Sequence, residues 1–444
     1  MQMIKANPTA FTALIIISLT LLLSACHTSN QNSKGEGSTQ KENSQEETSV
    51  DNNIDEESVS KTSSDQVSMW TDESDEIYTV SFPMSESEHA AVYEKEHAEY
   101  EKWVRDNKDG IRSDIIVWDP DKQVTSMPGV QMEILDFKHE GDIWKAGQNE
   151  KYYLIATRTW DGQKEQEWIH VYDRKKPLTE PILSIDSDRS RGHFLQDIIL
   201  VDDILLWCDM LSQDGNLSWK VYQTDILTEH TEEIMRSDYS SKLLYMFPRL
   251  TESEGCMISC FVDETNDGHA SVRKYDPRIR KWEDLYHINY KVNPYVLMRV
   301  KKSDIYSTDY KDEAWIAVRY DLNTGELNHL KLLTKYETEG IEQCIPVGDW
   351  ILYSSSGFGL NYLMDVYTGD VRYLSSQYSA FEVLGDRYVI YEAESTFRIY
   401  DTVEDVNYDT GYTKFGQFST SDRDELLVII RDGDERMCLR MFID

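Results

Sequence analysis

Ala317-Val318-Arg319-Tyr320-Asp321-Leu322-Asn323-Thr324-Gly325-Glu326 is the stretch that decides the fold. An apolar and aromatic strand runs into Asp321, whose carboxylate accepts hydrogen bonds from backbone N–H groups two residues on. Gly325 supplies the positive φ such a turn needs. The same ending recurs outward from it in both directions. It stands as Ile116-Val117-Trp118-Asp119, Val171-Tyr172-Asp173, Val221-Tyr222-Gln223, Lys274-Tyr275-Asp276, Leu363-Met364-Asp365, Ile399-Tyr400-Asp401 and the terminal Met441-Phe442-Ile443-Asp444. From Trp118 to Phe442 the marks are 54, 50, 53, 45, 44, 36 and 42 residues apart.

Intervals of that size match one four-stranded sheet per repeat. A second strand precedes each mark, as in Tyr153-Leu154-Ile155-Ala156, Ile204-Leu205-Leu206-Trp207 and Tyr388-Val389-Ile390-Tyr391. These runs show little alternation, as expected of strands buried on both faces. The reading is an all-β chain, a seven-bladed β-propeller. Its blades start near Gly141, Phe194, Lys242, Tyr295, Gln343, Ala380 and Phe415, and six or eight blades also fit the marks. The last blade lacks its fourth strand. Ring closure therefore draws one from the N-terminal side, either residues 115–118 or 77–82, which removes two open sheet edges. The repeat resembles the broad set of bacterial propellers with a Val-Tyr-Asp-x-x-Thr-Gly-Glu ending, a structural likeness over residues 111–444 that implies no function.

Before the repeat lies one helix. Ser85-Glu86-Ser87-Glu88 reads as a capping box, and helical spacing runs to about Asp106, with Val92, Tyr93, Tyr100, Trp103 and Val104 on one side. That stripe is expected to dock on the propeller. His89 and His97 are eight apart with Tyr93 between them, which is not a metal-ligand pattern.

At the other end, Phe11 to Leu23 is an apolar run of about thirteen residues, too short for the ~30 Å hydrocarbon core of a membrane. It reads as the core of a signal peptide. It ends in Leu23-Ser24-Ala25-Cys26, which resembles the lipobox of bacterial lipoproteins. That resemblance implies cleavage before Cys26, acylation of its thiol with chains of the palmitate class, and a location at the extracytoplasmic face of the cell membrane. Two or more acyl chains make a stable anchor. Residues 27–76 are rich in Ser, Glu, Gln and Asn without a periodic apolar face, and are expected to be a disordered stalk. Fifty residues of coil reach about 40 Å r.m.s. and above ~150 Å when taut. The expected organisation is thus signal peptide 1–25, anchor and stalk 26–76, strand and helix 77–114, and propeller 115–444.

The net charge of −36 becomes −37 once Lys5 leaves with the signal peptide. Such a surface repels nucleic acid and anionic lipid. Besides Cys26 there are Cys208, Cys256, Cys260, Cys344 and Cys438. Five is odd, and Cys256 and Cys260, four strand residues apart, are separated by ~13 Å where a disulfide tolerates ~7 Å. All five read as core thiols, and no cofactor or metal is expected.

Three features are candidates for function. Asp186-Ser187-Asp188-Arg189-Ser190-Arg191-Gly192-His193 joins the first two blades, and Asp186, Asp188, Arg189, Arg191 and His193 could bind a carboxylate or do acid–base work. Tyr239, Tyr290, Tyr295, Tyr336, Tyr378 and Tyr412 fall in or beside inter-blade connections, where they either present a sugar- or peptide-binding face or pack between blades. Asp263-Glu264-Thr265-Asn266-Asp267-Gly268 starts like a calcium loop, but Lys274 stands where the bidentate Glu belongs, so it reads as a hairpin turn. The expected function is a membrane-tethered module that binds an envelope protein, peptide or glycan. The alternatives are an envelope polysaccharide lyase or hydrolase, and a scaffold for envelope assembly.

Overall fold

The structure is a computed structural model that describes residues 68–73, 86–106, 115–117 and 129–443, the last span without 161–164, 188–192, 214–215, 238–247, 263–269, 290–296, 337–339, 357–359, 376–380, 394–395, 419–423 and 433–434. Five antiparallel sheets follow one another along the chain. Blade 1 is built from Asp142–Gln148, Tyr152–Trp160, Glu165–Asp173 and Leu183–Ser187, and blade 2 from His193–Val201, Ile204–Gln213, Asn216–Asp225 and Thr231–Arg236. Blade 3 takes Thr251–Ser253, Cys256–Val262, Ala270–Asp276 and Lys281–Ile288. Blade 4 takes Arg299–Lys301, Asp304–Lys311, Ala314–Asp321 and Leu327–Lys331, and blade 5 Gly340–Val347, Trp350–Ser356, Asn361–Asp365 and Val371–Ser375. Blades 6 and 7 form one continuous sheet, because the strand Val406–Phe418 pairs with Thr396–Asp401 through its first half and with Glu425–Asp432 through its second.

Seven apolar clusters fill the seven seams between neighbouring blades. Leu154 and Ala156 of blade 1 meet Leu195 and Leu205 of blade 2, while Tyr153 and Ile155, one residue out of phase, meet Leu427 and Ile429 of blade 7. Both faces of a strand are therefore core, and this is why its sequence does not alternate. The remaining seams run through Val221 and Tyr275, Val272 and Ile305, Ala317 and Tyr353, Leu352 and Val389, and Ile390 and Val428. Seven seams closing on themselves fix seven blades.

The turn chemistry is as read. Asp321 Oδ1 accepts from the N–H groups of Asn323 at 2.7 Å and Thr324 at 3.1 Å, and Gly325 has φ +73°. Asp173, Asp276, Asp365 and Asp401 do the same for their own turns. In blade 2 the residue in that role is Asp225, two positions beyond the Gln223 that the sequence mark pointed to; it accepts from Leu227 and Thr228. The strand there simply runs two residues further.

Closure differs from expectation. The fourth strand of blade 7 is Val130–Leu135, in register from Cys438↔Leu135 to Ile443↔Val130. Residues 115–118 do not close the ring, since Ile115–Val117 pairs in parallel with Asn407 to Asp409 on the outer edge of blade 6. Residues 77–82 lie outside the described residues. A further strand, Thr71–Glu73, lies in what reads as stalk and adds to Leu327–Lys331 of blade 4. A neighbouring sheet edge supplies its hydrogen bonds and Trp70 packs edge-on to Tyr306 at 6.3 Å, so it needs no apolar period of its own. The helix spans Glu86–Asp106, and its Tyr93 and Tyr100 pack on the seam of blades 4 and 5.

Ion pairs tie blades together. Lys145 of blade 1 bridges to the Asp197 carboxylate of blade 2, which also accepts from the Leu250 N–H at 2.9 Å. Arg299 of blade 4 reaches Gln343 of blade 5 at 2.7 Å and Glu382 of blade 6 at 2.6 Å. Lys145, Asp197 and Gln343 each follow a bulge in the inner strand of their blade. At the closure, Arg174 of blade 1 and Arg440 share Glu425, at 2.8 and 2.6 Å, and Arg440 also holds Glu133 of the closing strand at 3.1 Å.

Burial pushes the Glu425 carboxyl up, and the Arg440 and Arg174 guanidiniums more than offset it, leaving it below the usual glutamate range. Its contribution to stability is complete above the unfolded value of about 4.3 and is lost as pH falls through the lower folded value. Glu425→Gln is expected to cost about 2 kcal/mol at neutral pH and to flatten the acid limb of the stability curve, as read by urea unfolding from pH 7 to 3. An unchanged acid limb would show that the closure does not depend on this charge.

Candidate functional site

The strand Glu165–Asp173 places Glu167, Ile169 and Val171 on the seam with blade 2, all fully buried. Its alternate residues Gln166, Trp168 and His170 face the other way and are half-buried. The partner strand sets Asp186 opposite Trp168 and Ser184 opposite His170. The result is a strip of polar and aromatic side chains on the first blade. Trp168 and His170 are stacked, with ring centroids 6.2 Å apart and planes 8° apart. The Gln166 amide donates to Asp186 Oδ2 at 3.0 Å, with Asp186 exposed.

His170 is held at both nitrogens, Nδ1 to Ser184 Oγ at 2.9 Å and Nε2 to Thr157 Oγ1 at 3.3 Å. Burial, and then the neighbouring His139, lower its pKa to about 4. At neutral pH it is an uncharged ring that donates and accepts one hydrogen bond each. Ser184 beside an imidazole has the outline of a nucleophile and base. An imidazole near 4 is a weak base, however, and its far nitrogen meets a hydroxyl where an orienting carboxylate would stand.

Of the sequence candidates, only Asp186 has its side chain placed in this strip. His193 begins the inner strand of blade 2, its Cα opposite Leu211, and Asp188, Arg189 and Arg191 lie outside the described residues. Tyr239, Tyr290, Tyr295 and Tyr378 also lie outside them, as does the loop 263–269, whose flanking strands pair as a hairpin. Tyr336 is spent on packing, being buried and edge-on to Tyr100 of the helix at 6.4 Å. Tyr412 stacks on Phe397 at 6.2 Å in the seam of blades 6 and 7. The free thiols are core: Cys208, Cys256, Cys344 and Cys438 are buried, and burial pushes Cys260 and Cys438 up to about 12. Gln166, Trp168, His170 and Ser184 were not singled out by sequence. Their signal was an alternation, Gln-Glu-Trp-Ile-His-Val, in a fold whose other central strands rarely alternate.

The lowered pKa of His170 means that the unfolded chain binds a proton there at mildly acidic pH while the folded chain does not. Stability is therefore complete above about 6.5 and falls as pH drops toward 4. NMR titration of the His170 ring is expected to show a midpoint near 4, and a midpoint at or above 6 would remove the neutral-ring account of the strip.

No protein-family model matches the chain, and no curated protein matches it. Solved structures share the fold at low identity. The β-propeller domain of the trilobed protease from Pyrococcus furiosus is 9% identical with a TM-score of 0.44, over 69% of this chain and 94% of that one. YCF48 bound to D1 peptide is 10% identical with a TM-score of 0.43, over 72% and 99%. TolB from Acinetobacter baumannii is 13% identical with a TM-score of 0.33, over 65% and 80%. The chain is a β-propeller similar to these in fold alone.

Proposed function

We propose that this protein is a lipoprotein held by acyl chains on Cys26 at the extracytoplasmic face of the cell membrane, whose propeller is a binding module for an envelope protein, peptide or glycan. The tether rests on Leu23-Ser24-Ala25-Cys26 after a short apolar run. Among the described residues no helix is long and apolar enough to cross a membrane. Cys26→Ser is expected to abolish labelling by a palmitate analogue in a bacterial host and to move the protein from the detergent phase to the aqueous phase. Unchanged partition would remove the anchor.

The observation that carries the binding reading is the strip on blade 1, a stacked Trp168–His170 pair flanked by the Asp186 and Gln166 hydrogen-bonding edge. A flat ring beside a fixed donor and acceptor suits a peptide side chain or a sugar. Envelope extracts and glycan arrays probed with the full chain are expected to yield a ligand whose affinity falls about tenfold in Trp168→Ala and in Asp186→Ala. No ligand in either assay would sink the reading. The 2.9 Å contact between Ser184 and His170 is what favours a hydrolase instead. Ser184→Ala is expected to leave function intact, and loss of a measured hydrolysis in that variant would establish the enzyme.

A further inference from the structure

A second site lies on the seam of blades 2 and 3. Deep in that seam the blades touch, with Tyr275 donating from its hydroxyl to Gln223 Oε1 at 2.8 Å. At the outer strands an open cleft of about 330 Å³ is lined by Met235 from one blade and Arg273, Trp282 and Asp284 from the other. Its size is in the range of small-ligand pockets.

Strand period places these groups together. Arg273 and Tyr275 face blade 2, and cross-strand pairing sets Asp284 beside Arg273 and Trp282 beside Tyr275. Aromatic rings brace the indole: Trp282 lies 4.7 Å from Tyr275 and 5.4 Å from Phe261, which in turn meets Trp219 across the seam at 5.8 Å. Trp282 is half-buried and lines the cavity. Arg273 Nε donates to Asp284 Oδ1 at 2.6 Å, which fixes a guanidinium and a carboxylate side by side at the rim.

The charges decide the ligand. Arg273 is matched by Asp284 at 2.6 Å, and Arg280 of blade 3 by Glu232 of blade 2 at 2.7 Å. A charged ligand would have to break one of these pairs, and an anionic polymer would also oppose a chain of net charge −36. What the cleft offers is a flat apolar floor of indole and thioether, edged by donors and acceptors already in place. A pyranose ring has that complementary form, with C–H groups on its face and hydroxyls at its edge.

We propose that the cleft between blades 2 and 3 binds a neutral saccharide, with one ring on Trp282 and its hydroxyls on Arg273 and Asp284. The site is distinct from the strip on blade 1 and does not depend on it.

The test is calorimetric titration of the full chain in detergent with chitotetraose and cellotetraose, with tetragalacturonate as the charged comparison. Saturable binding of a neutral tetrasaccharide is expected, weakened about tenfold by Trp282→Ala and by Asp284→Ala and unchanged by Trp168→Ala. Asp284 is exposed, so its variant keeps the test decisive should Trp282→Ala fail to fold. The proposal is overturned if neither neutral sugar binds at millimolar concentration, if only tetragalacturonate binds, or if binding survives both cleft variants. Loss of binding in Trp168→Ala alone would also overturn it, while leaving the blade 1 reading in force.

Discussion

Closure of the ring rests on one strand pairing, Val130–Leu135 beside Glu435–Ile443, which completes blade 7 with a segment that precedes blade 1 in the chain. Each open edge would present unpaired N–H and C=O groups to solvent and to other chains. Closure also fixes what lies outside the ring. The described segments before residue 129 pair and pack elsewhere on the propeller. Two short segments do so as added edge strands, Thr71–Glu73 on blade 4 and Ile115–Val117 on blade 6, and the helix packs Tyr93 and Tyr100 on the seam between blades 4 and 5. These described segments therefore lie on blades 4 to 6.

Electrostatics work at two scales. The net charge of −36 favours solubility and opposes compaction. Against it, buried and half-buried cations are placed where they cross seams: Lys145 to Asp197, Arg299 to Gln343 and Glu382, and Arg174 to Glu425, which Arg440 of the same blade also holds. Buried pairs of this kind contribute little net energy, but breaking one is costly. Their consequence is register. An inner strand that slipped by one residue would turn these groups into apolar seams, so the pairs specify which blade meets which face.

Much of the fold was legible because each blade repeats two local signals, an Asp that starts a turn and a strand apolar on both faces. Asp173, Asp276, Asp321, Asp365 and Asp401 needed no tertiary information to be read. Where the reading failed, the missing information was non-local. Val130-Gln131-Met132-Glu133-Ile134-Leu135 has weak strand character and becomes a strand because Leu439 and Met441 wait beside it, whereas Ile116-Val117-Trp118-Asp119 carries the mark and does not close the ring. Tyr336 and Tyr412 were ambiguous for the same reason, since a tyrosine near a connection looks alike whether it faces a ligand or Tyr100 and Phe397. The blade 1 strip was hidden in plain pattern: its polar alternation sat inside a strand counted only as a repeat mark.

Two edge strands take the outer edges of blades 4 and 6 and the helix the seam between 4 and 5, while the strip lies on blade 1 and the cleft between blades 2 and 3. Both candidate surfaces pair a half-buried indole with a fixed polar edge, Trp168 with Asp186 and Trp282 with Asp284. Two such places on one rigid ring would let a single long polymer be held at separate points, and the second contact would then form at the effective concentration set by the first. Weak individual sites are sufficient under that arrangement.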